Sequence, residues 1–366
     1  MKSDESKTAA EVYRRLCKAM EKRGGEYPGM EIPEFYDLVK ELFTTEEAEV
    51  CLAIPRGYHP ASAIAVELGK QPEEVELVLE AMANKGICVA GKLGDTTFYG
   101  SVPFVPGIFE FQFMRGTNTP KDKKLARLIH DYKAAVDSFK GPAKVTFPTT
   151  RVIPVDRKIQ AGNTIHTYDQ VATYIGKYEP LAVSTCYCRH EAKLIDEKDD
   201  CGKPNEVCMQ FGMGAQFVID RGLGRKISKE EALDILKNCE EAGLVHSTIN
   251  RQEIDFLCNC CNDHCVILQK ALAHPKPGLA LNSGFQPVRN PELCKACGIC
   301  VERCPSAALT MGEQDVPKAD LDRCIGCGVC ASGCPEEAIT LDERPGSQVP
   351  PLDHKALKKA IKTSQA

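Results

Sequence analysis

"CKACGICVERCP", residues 294–305, and "CIGCGVCASGCP", residues 324–335, are two copies of one pattern. Each reads C-x2-C-x2-C-x3-C-P, so the second run repeats the first position for position. Three closely spaced thiols can wrap one face of a metal centre. The small residues Gly298, Gly326 and Gly328 leave room for backbone N–H groups to approach the sulfurs. Pro305 and Pro335 turn the chain away after the last cysteine of each run. Two zinc ribbons would show two separate C-x2-C pairs per site, which is not the spacing here.

The doubled run resembles the motif of bacterial two-cluster ferredoxins. That resemblance implies a small domain with two 4Fe–4S clusters, in which the fourth cysteine of each run ligates the other run's cluster. On that rule Cys294, Cys297, Cys300 and Cys334 hold one cluster, and Cys324, Cys327, Cys330 and Cys304 hold the other. The crossing keeps two one-electron centres close together. Glu302, Asp320, Asp322, Glu336 and Glu337 outnumber the bases here. Such a surface would steer the domain towards redox partner proteins with a basic docking face.

The rest of the composition narrows the field. The chain has 366 residues, enough for two or three domains with a sizeable core, and 43% of them are apolar, as in a soluble globular protein. A net charge of −5 argues against nucleic acid as the main partner, because phosphate binding needs cations to replace counterions. No apolar run is long enough for a transmembrane segment. The N-terminal "MKSDESKTAAEVYRRL" is too charged for a secretory signal, so a cytoplasmic protein is expected. Of twenty cysteines, Cys17, Cys51, Cys88 and Cys239 stand alone and read as buried core. The other sixteen cluster between Cys186 and Cys334, which in a reducing compartment points to metal ligands rather than disulfides.

The expected architecture is α+β and multidomain. Residues 1–115 read as a winged-helix-like domain. Thr44 with Glu47 opens a helix as a capping box, Gly69 and Gly86 close two more, and "ICVAG" and "TTFYGSV" form a wing. Its third helix opens with Glu73, Glu74 and Glu76, so protein docking is favoured over DNA binding. Residues 116–285 form a mixed α/β cysteine-rich middle domain. It contains a helix "KDKKLARLIHDYKAAVDSF" ended by Gly141-Pro142, a strand "RVIPV", a helix "TYDQVATYIGKY", a strand "PLAVSTCYC", and a helix capped by Ser228 and closed by Gly243. "HPKPGLALNSGFQPVRNPE" reads as a linker to the ferredoxin-like domain at 286–343. Residues 344–366 are a surface arm with a short basic helix.

The middle domain carries Cys186, Cys188, Cys201 and Cys208, then "LCNCCNDHCVIL", residues 257–268, with Cys258, Cys260, Cys261 and Cys265. Cys186 and Cys188, like Cys258 and Cys260, are two apart on a strand end and leave from one face. Cys261 and Cys265 are four apart, where Asn262 and Asp263 can start a helix. One or two further 4Fe–4S clusters are favoured here. Zinc with His190 or His264 as a nitrogen ligand is the alternative, and a dithiol redox site is the third reading. Arg189 could face an anionic cluster or form a plain ion pair.

"TCYCR" at 185–189, "GLVH" at 243–246 and "CNCC" at 258–261, ahead of the doubled run, together resemble a poorly characterised family of iron–sulfur proteins from anaerobes. That resemblance implies low-potential electron transfer within a larger redox system. No phosphate loop, dinucleotide fingerprint or hydrolase triad is present, so no catalytic residue is assigned. An electron relay between oxidoreductases is expected. An iron–sulfur reductase with a substrate-binding cluster in the middle domain, and a redox-sensing winged-helix regulator, are the alternatives.

Overall fold

The structure, a computed structural model, describes residues 2–139, 147–155, 159, 170–281, 283–313 and 316–365. It is mixed α+β, with several separate sheets. Gly141-Pro142 and the start of "TYDQVATYIGKY" lie outside the described residues. The chain falls into two compact units, one of residues 1–141, 184–200 and 216–225, the other of 142–183, 201–215 and 226–366.

In the first unit, local signals place most elements. Helix Thr45–Ala53 carries the full capping box, with the Glu47 N–H donating to Thr44 and the Thr44 N–H donating back to Glu47. Helices Ala61–Leu68 and Pro72–Lys85 end at Gly69 and Gly86, both left-handed. Strands Val89–Leu93 and Thr96–Gly100 pair antiparallel, and a third strand, Tyr58–Pro60, adds to the second. That third strand is too short to leave a periodic pattern in the sequence. Helix Pro120–Phe139 presents Leu125, Ala126, Ile129, Tyr132 and Val136 to the core, where Tyr132 meets Phe35, Phe104 and Phe109 edge-on.

The expected strand "PLAVSTCYC" is shorter than its apolar run suggests. Strand Leu181–Thr185 stops before the cysteines, and helix Tyr187–Ile195 starts at once, with Cys186 at its N-cap position. Cys188 therefore lies in a helical first turn and does not share a strand face with Cys186. Packing explains the switch. Tyr187 stacks on Phe113, the His190 ring lies edge-on to Phe113, and Glu191 accepts from Lys133 at 2.5 Å. A continued strand would break all three contacts.

The second unit is built on a six-stranded sheet in the order Thr150–Val152, Val245–Ile249, Phe256–Cys260, Glu206–Phe211, Leu181–Thr185, Arg225–Ile227. Helices Val171–Lys177 and Lys229–Glu241 cover one face through Tyr174, Ile175, Ala232 and Leu236, which pack on Met209, Phe211 and Leu257. Ser228 caps the second of these helices by accepting from the Glu231 N–H, and Gly243 leads out of it at φ +74°. The opposite face carries Val245, Cys258 and Cys260 under helix Val266–Ala273 and beside Ile325 and Val329.

The expected linker is partly structured. Phe285–Arg289 is a strand paired antiparallel with Ile339–Glu343, and a second ribbon joins Leu309–Met311 to Pro317–Ala319. Pro287 is tolerated because a two-stranded ribbon leaves edges where no N–H is required. The C-terminal arm is tied down as well. Gln252 bonds the Pro350 and Pro351 carbonyls before helix His354–Gln365 begins.

Candidate metal centres

Each cysteine run is a loop that tightens into one turn of helix. Gly298 and Gly328 sit at equivalent positions with φ +78° and +81°, and open the short helices Ile299–Glu302 and Val329–Ser332. Ala296 (φ +56°) matches Gly326 (φ +70°), and Ala307 matches Glu337, both at φ +48°. The two runs thus share a backbone as well as a spacing. Behind each fourth cysteine, an N–H donates to sulfur, Ala308 to Cys304 at 3.2 Å and Ala338 to Cys334 at 3.3 Å. Pro305 and Pro335 stand between those cysteines and the turns that bring the donors round.

The thiols gather in two sets. Burial raises the Cys300 thiol, and Cys297, Cys334 and Cys294 are the thiols whose charge would add to the rise. Burial also raises Cys327 to about 12 and lifts Cys330 well above its ordinary value, with Cys324 and Cys304 as their shared neighbours. Cys324 is raised by burial too, against the opposing charge of Arg344. Cys304, Cys324, Cys327 and Cys330 line one apolar pocket together with Pro305, Ile325, Gly326 and Gly328. Four such thiolates would repel one another in an apolar setting, so a cation-rich core is what they fit.

The sets differ in exposure. In the first, Cys297 is exposed, Cys294 and Cys334 are half-buried and Cys300 is buried; in the second, Cys324 and Cys330 are buried and Cys304 and Cys327 half-buried. Glu302, Asp320, Asp322, Glu336 and Glu337 are exposed, although Asp322 is engaged by Lys276 at 2.9 Å.

Strand Phe256–Cys260 sorts the middle thiols by face. Cys258 and Cys260 point to the side that packs against Cys327, Ile325 and Val329. Cys265 is the N-cap of helix Val266–Ala273, so the helix starts after Asn262 and Asp263 and not at them. Cys265 is still one turn from Cys261, through its N–H bond to the Cys261 carbonyl. Its thiol reaches Cys260 at 3.2 Å. Hydrogen bonding with Cys258 and Cys265, then burial, pushes the Cys260 thiol well above its ordinary value. Continuing the register of Met209 with Leu257 sets Cys208 opposite Cys258, and Cys208 accepts from Gln210 at 3.2 Å.

Cys261 turns to a different set. Its Sγ is 3.7 Å from His264 Nδ1, and Cys201 joins them, so that all three donor atoms lie within 4.8 Å of one another. This group could hold a further metal ion. His190, the other candidate nitrogen ligand, is engaged elsewhere, with Nε2 at 2.8 Å from the Thr117 carbonyl. Cys186, Cys188 and the buried Arg189 belong to the first unit.

Residues 286–335 match the family model of a 4Fe-4S dicluster domain. The dicluster region accommodates two 4Fe–4S clusters, and such a domain suggests electron transfer through them. No curated protein and no solved structure matches the chain. No helix among the described residues is long and apolar enough to cross a membrane.

The motifs "GLVH" and "CNCC" contain His246 and Asn259 but give neither a role, which only the fold supplies. On the sheet face away from Cys258 and Cys260, the buried His246 holds Asn259 Oδ1 through Nδ1 at 2.6 Å, and its Nε2 lies 3.6 Å from Glu240. Both line a pocket with Lys237, Leu233, Leu236 and Val171. Glu240 and His246 come from a helix and a strand separated by a turn, and the cross-strand register of His246 with Asn259 brings that pair to the thiols' strand.

Proposed function

We propose that this protein relays single electrons at low potential between partner oxidoreductases. In this reading Cys294, Cys297, Cys300 and Cys334 hold the outer 4Fe–4S cluster. Cys324, Cys327, Cys330 and Cys304 hold the inner one. Bound clusters supply reversible one-electron chemistry without proton transfer, so the chain's task is to space, bury and present them. Gly298, Gly326 and Gly328 let the loops close around the sulfurs. Cys208, Cys258, Cys260 and Cys265 are the group from which a third cluster would be built.

The observation that carries the reading is the gradient of exposure. Cys297 of one set is exposed to solvent, and Cys327 of the other packs in the apolar layer that holds Cys258, Cys260 and Cys265. A partner would dock at the outer set through a basic face. The winged-helix-like region 1–115 would be a docking module, with Glu73, Glu74 and Glu76 exposed and unsuited to a polyanion. The test is stopped-flow reduction of the anaerobic protein by a low-potential donor, followed by transfer to an acceptor. Reduction and reoxidation within a second are expected. Iron that is neither reduced nor reoxidised on that scale would defeat the proposal.

A second reading, reduction of a substrate within the middle region, is favoured by the His246 pocket. There a small molecule would meet a buried imidazole and carboxylate one sheet away from the thiols. Turnover that disappears in His246→Gln while cluster content stays unchanged would select it.

A further inference from the structure

We propose that Cys201, Cys261 and His264 hold a single divalent ion of the zinc class, separate from every cluster in the chain. Three observations converge on this.

The first is donor spacing. A tetrahedral ion with Zn–S near 2.3 Å and Zn–N near 2.0–2.1 Å sets its sulfur and nitrogen donors about 3.6 Å apart. Cys261 Sγ and His264 Nδ1 are 3.7 Å apart, and Cys201 Sγ lies within 4.8 Å of both. Thiolates on a cubane each bond a different iron and so stand further apart.

The second is donor chemistry. Two thiolates with one imidazole suit a borderline cation, and the 4Fe–4S sets of the dicluster region offer sulfur alone.

The third is how the ligands are held. Cys261 directly follows strand Phe256–Cys260, and the turn after it is fixed by the Cys265 N–H bond to the Cys261 carbonyl, which brings His264 back towards Cys261. Cys201 comes from the loop before strand Glu206–Phe211. Lys203 anchors that loop by donating to the Ala242 carbonyl at 2.9 Å. Both ligand segments are therefore tied to the sheet and to the end of helix Lys229–Glu241 before any ion arrives, which lowers the ordering cost of binding.

The test uses the full chain, purified anaerobically from zinc-replete medium, with zinc, iron and sulfide measured per chain. About one zinc is expected in the wild type. Cys201→Ser and His264→Ala should lose it, with zinc affinity at least tenfold weaker and iron and sulfide unchanged. His264→Cys keeps three metal donors, with a solvent molecule as the fourth ligand as in the wild type, and should retain the metal even where His264→Ala folds poorly. With cobalt as the probe, wild type and His264→Cys should both show tetrahedral bands, with stronger sulfur charge transfer in the variant. Wild-type protein that takes up neither zinc nor equimolar cobalt would overturn the proposal. So would loss of about four iron in His264→Ala, which would make His264 part of a cluster. Iron and sulfide report on the electron-relay reading separately, so either can fail without the other.

Discussion

Gly326 sits where the inner cysteine run passes closest to the segment leading into strand Phe285–Arg289, and Gly326→Ala tests that approach. A Cβ built at this position lies 2.3 Å from the Phe285 carbonyl oxygen and 2.4 Å from Ser283 Oγ. Ser283 is itself fixed, since its hydroxyl donates to the Gly326 carbonyl at 2.6 Å and its N–H donates to the Ile325 carbonyl. The residue also has φ +70°, which for alanine costs about 1–2 kcal/mol. Relieving the overlap by moving backbone costs about 1–3 kcal/mol more. The total is about 2–5 kcal/mol, set against Gly298→Ala. Gly298 has φ +78° and nothing within 4 Å of its Cβ position, so only the first cost, about 1–2 kcal/mol, applies. Nature already supplies the comparison in Ala296, the counterpart of Gly326 in the outer run, which carries its methyl at φ +56°. The assay is anaerobic guanidinium titration of both variants, followed by cluster absorbance, with iron counted before unfolding. Gly326→Ala should bleach at clearly lower denaturant and arrive short of iron. Equal midpoints for the two variants would refute the argument from close approach.

Three further outcomes follow from contacts elsewhere. Arg303 donates to the carbonyls of Glu240 and Glu241 at 2.8 and 3.0 Å, and passes over Gly333, where any Cβ would collide with it. Arg303→Ala should cost about 1.5–3 kcal/mol in a denaturant titration, and an unchanged midpoint would mean these bonds contribute nothing. Buried Glu191 has its carboxyl raised by burial and held down in part by Lys133. Lys133→Met should therefore destabilise by about 3–5 kcal/mol near neutral pH. Because the folded-state pKa then lies above the unfolded one, the deficit should shrink as pH falls towards the unfolded value, and a pH-independent deficit in thermal shift would contradict this. Hydrogen bonds from Arg221 first, and from Tyr99, hold the Glu80 carboxyl below its ordinary range despite some burial. That stability is present above the unfolded pKa of roughly 4.3 and is lost as pH falls through the folded value. Glu80→Gln should flatten this acid limb, and identical acid limbs in the two proteins would exclude the linkage.

What could be read from the chain alone was local. The Thr44–Glu47 box, the left-handed Gly69 and Gly86, and the Ser228 cap each depend on residues within a turn, and all form as their sequence implies. The doubled cysteine run is legible for the same reason, since its ligand spacing is written in consecutive residues. Long-range pairing was not legible. Strand Phe285–Arg289 finds its partner only at Ile339–Glu343, and its Gly- and Pro-rich flanks look like linker until that partner is known. Cys188 looked like strand because apolar residues run up to it, yet tertiary contacts of Tyr187, His190 and Glu191 impose a helix there. Cys201 reaches Cys261 and His264 across the sheet, which no spacing rule encodes.

The central claim is that this chain carries cluster-bound iron for electron transfer, and acid-labile sulfide per chain tests it most directly. Each 4Fe–4S cluster releases four sulfides, whereas a zinc–thiolate site releases none. Anaerobically purified protein should yield about eight sulfides with about eight irons from the dicluster region, and about twelve of each if the middle thiols hold a third cluster. Zinc-filled protein with no labile sulfide would contradict the account.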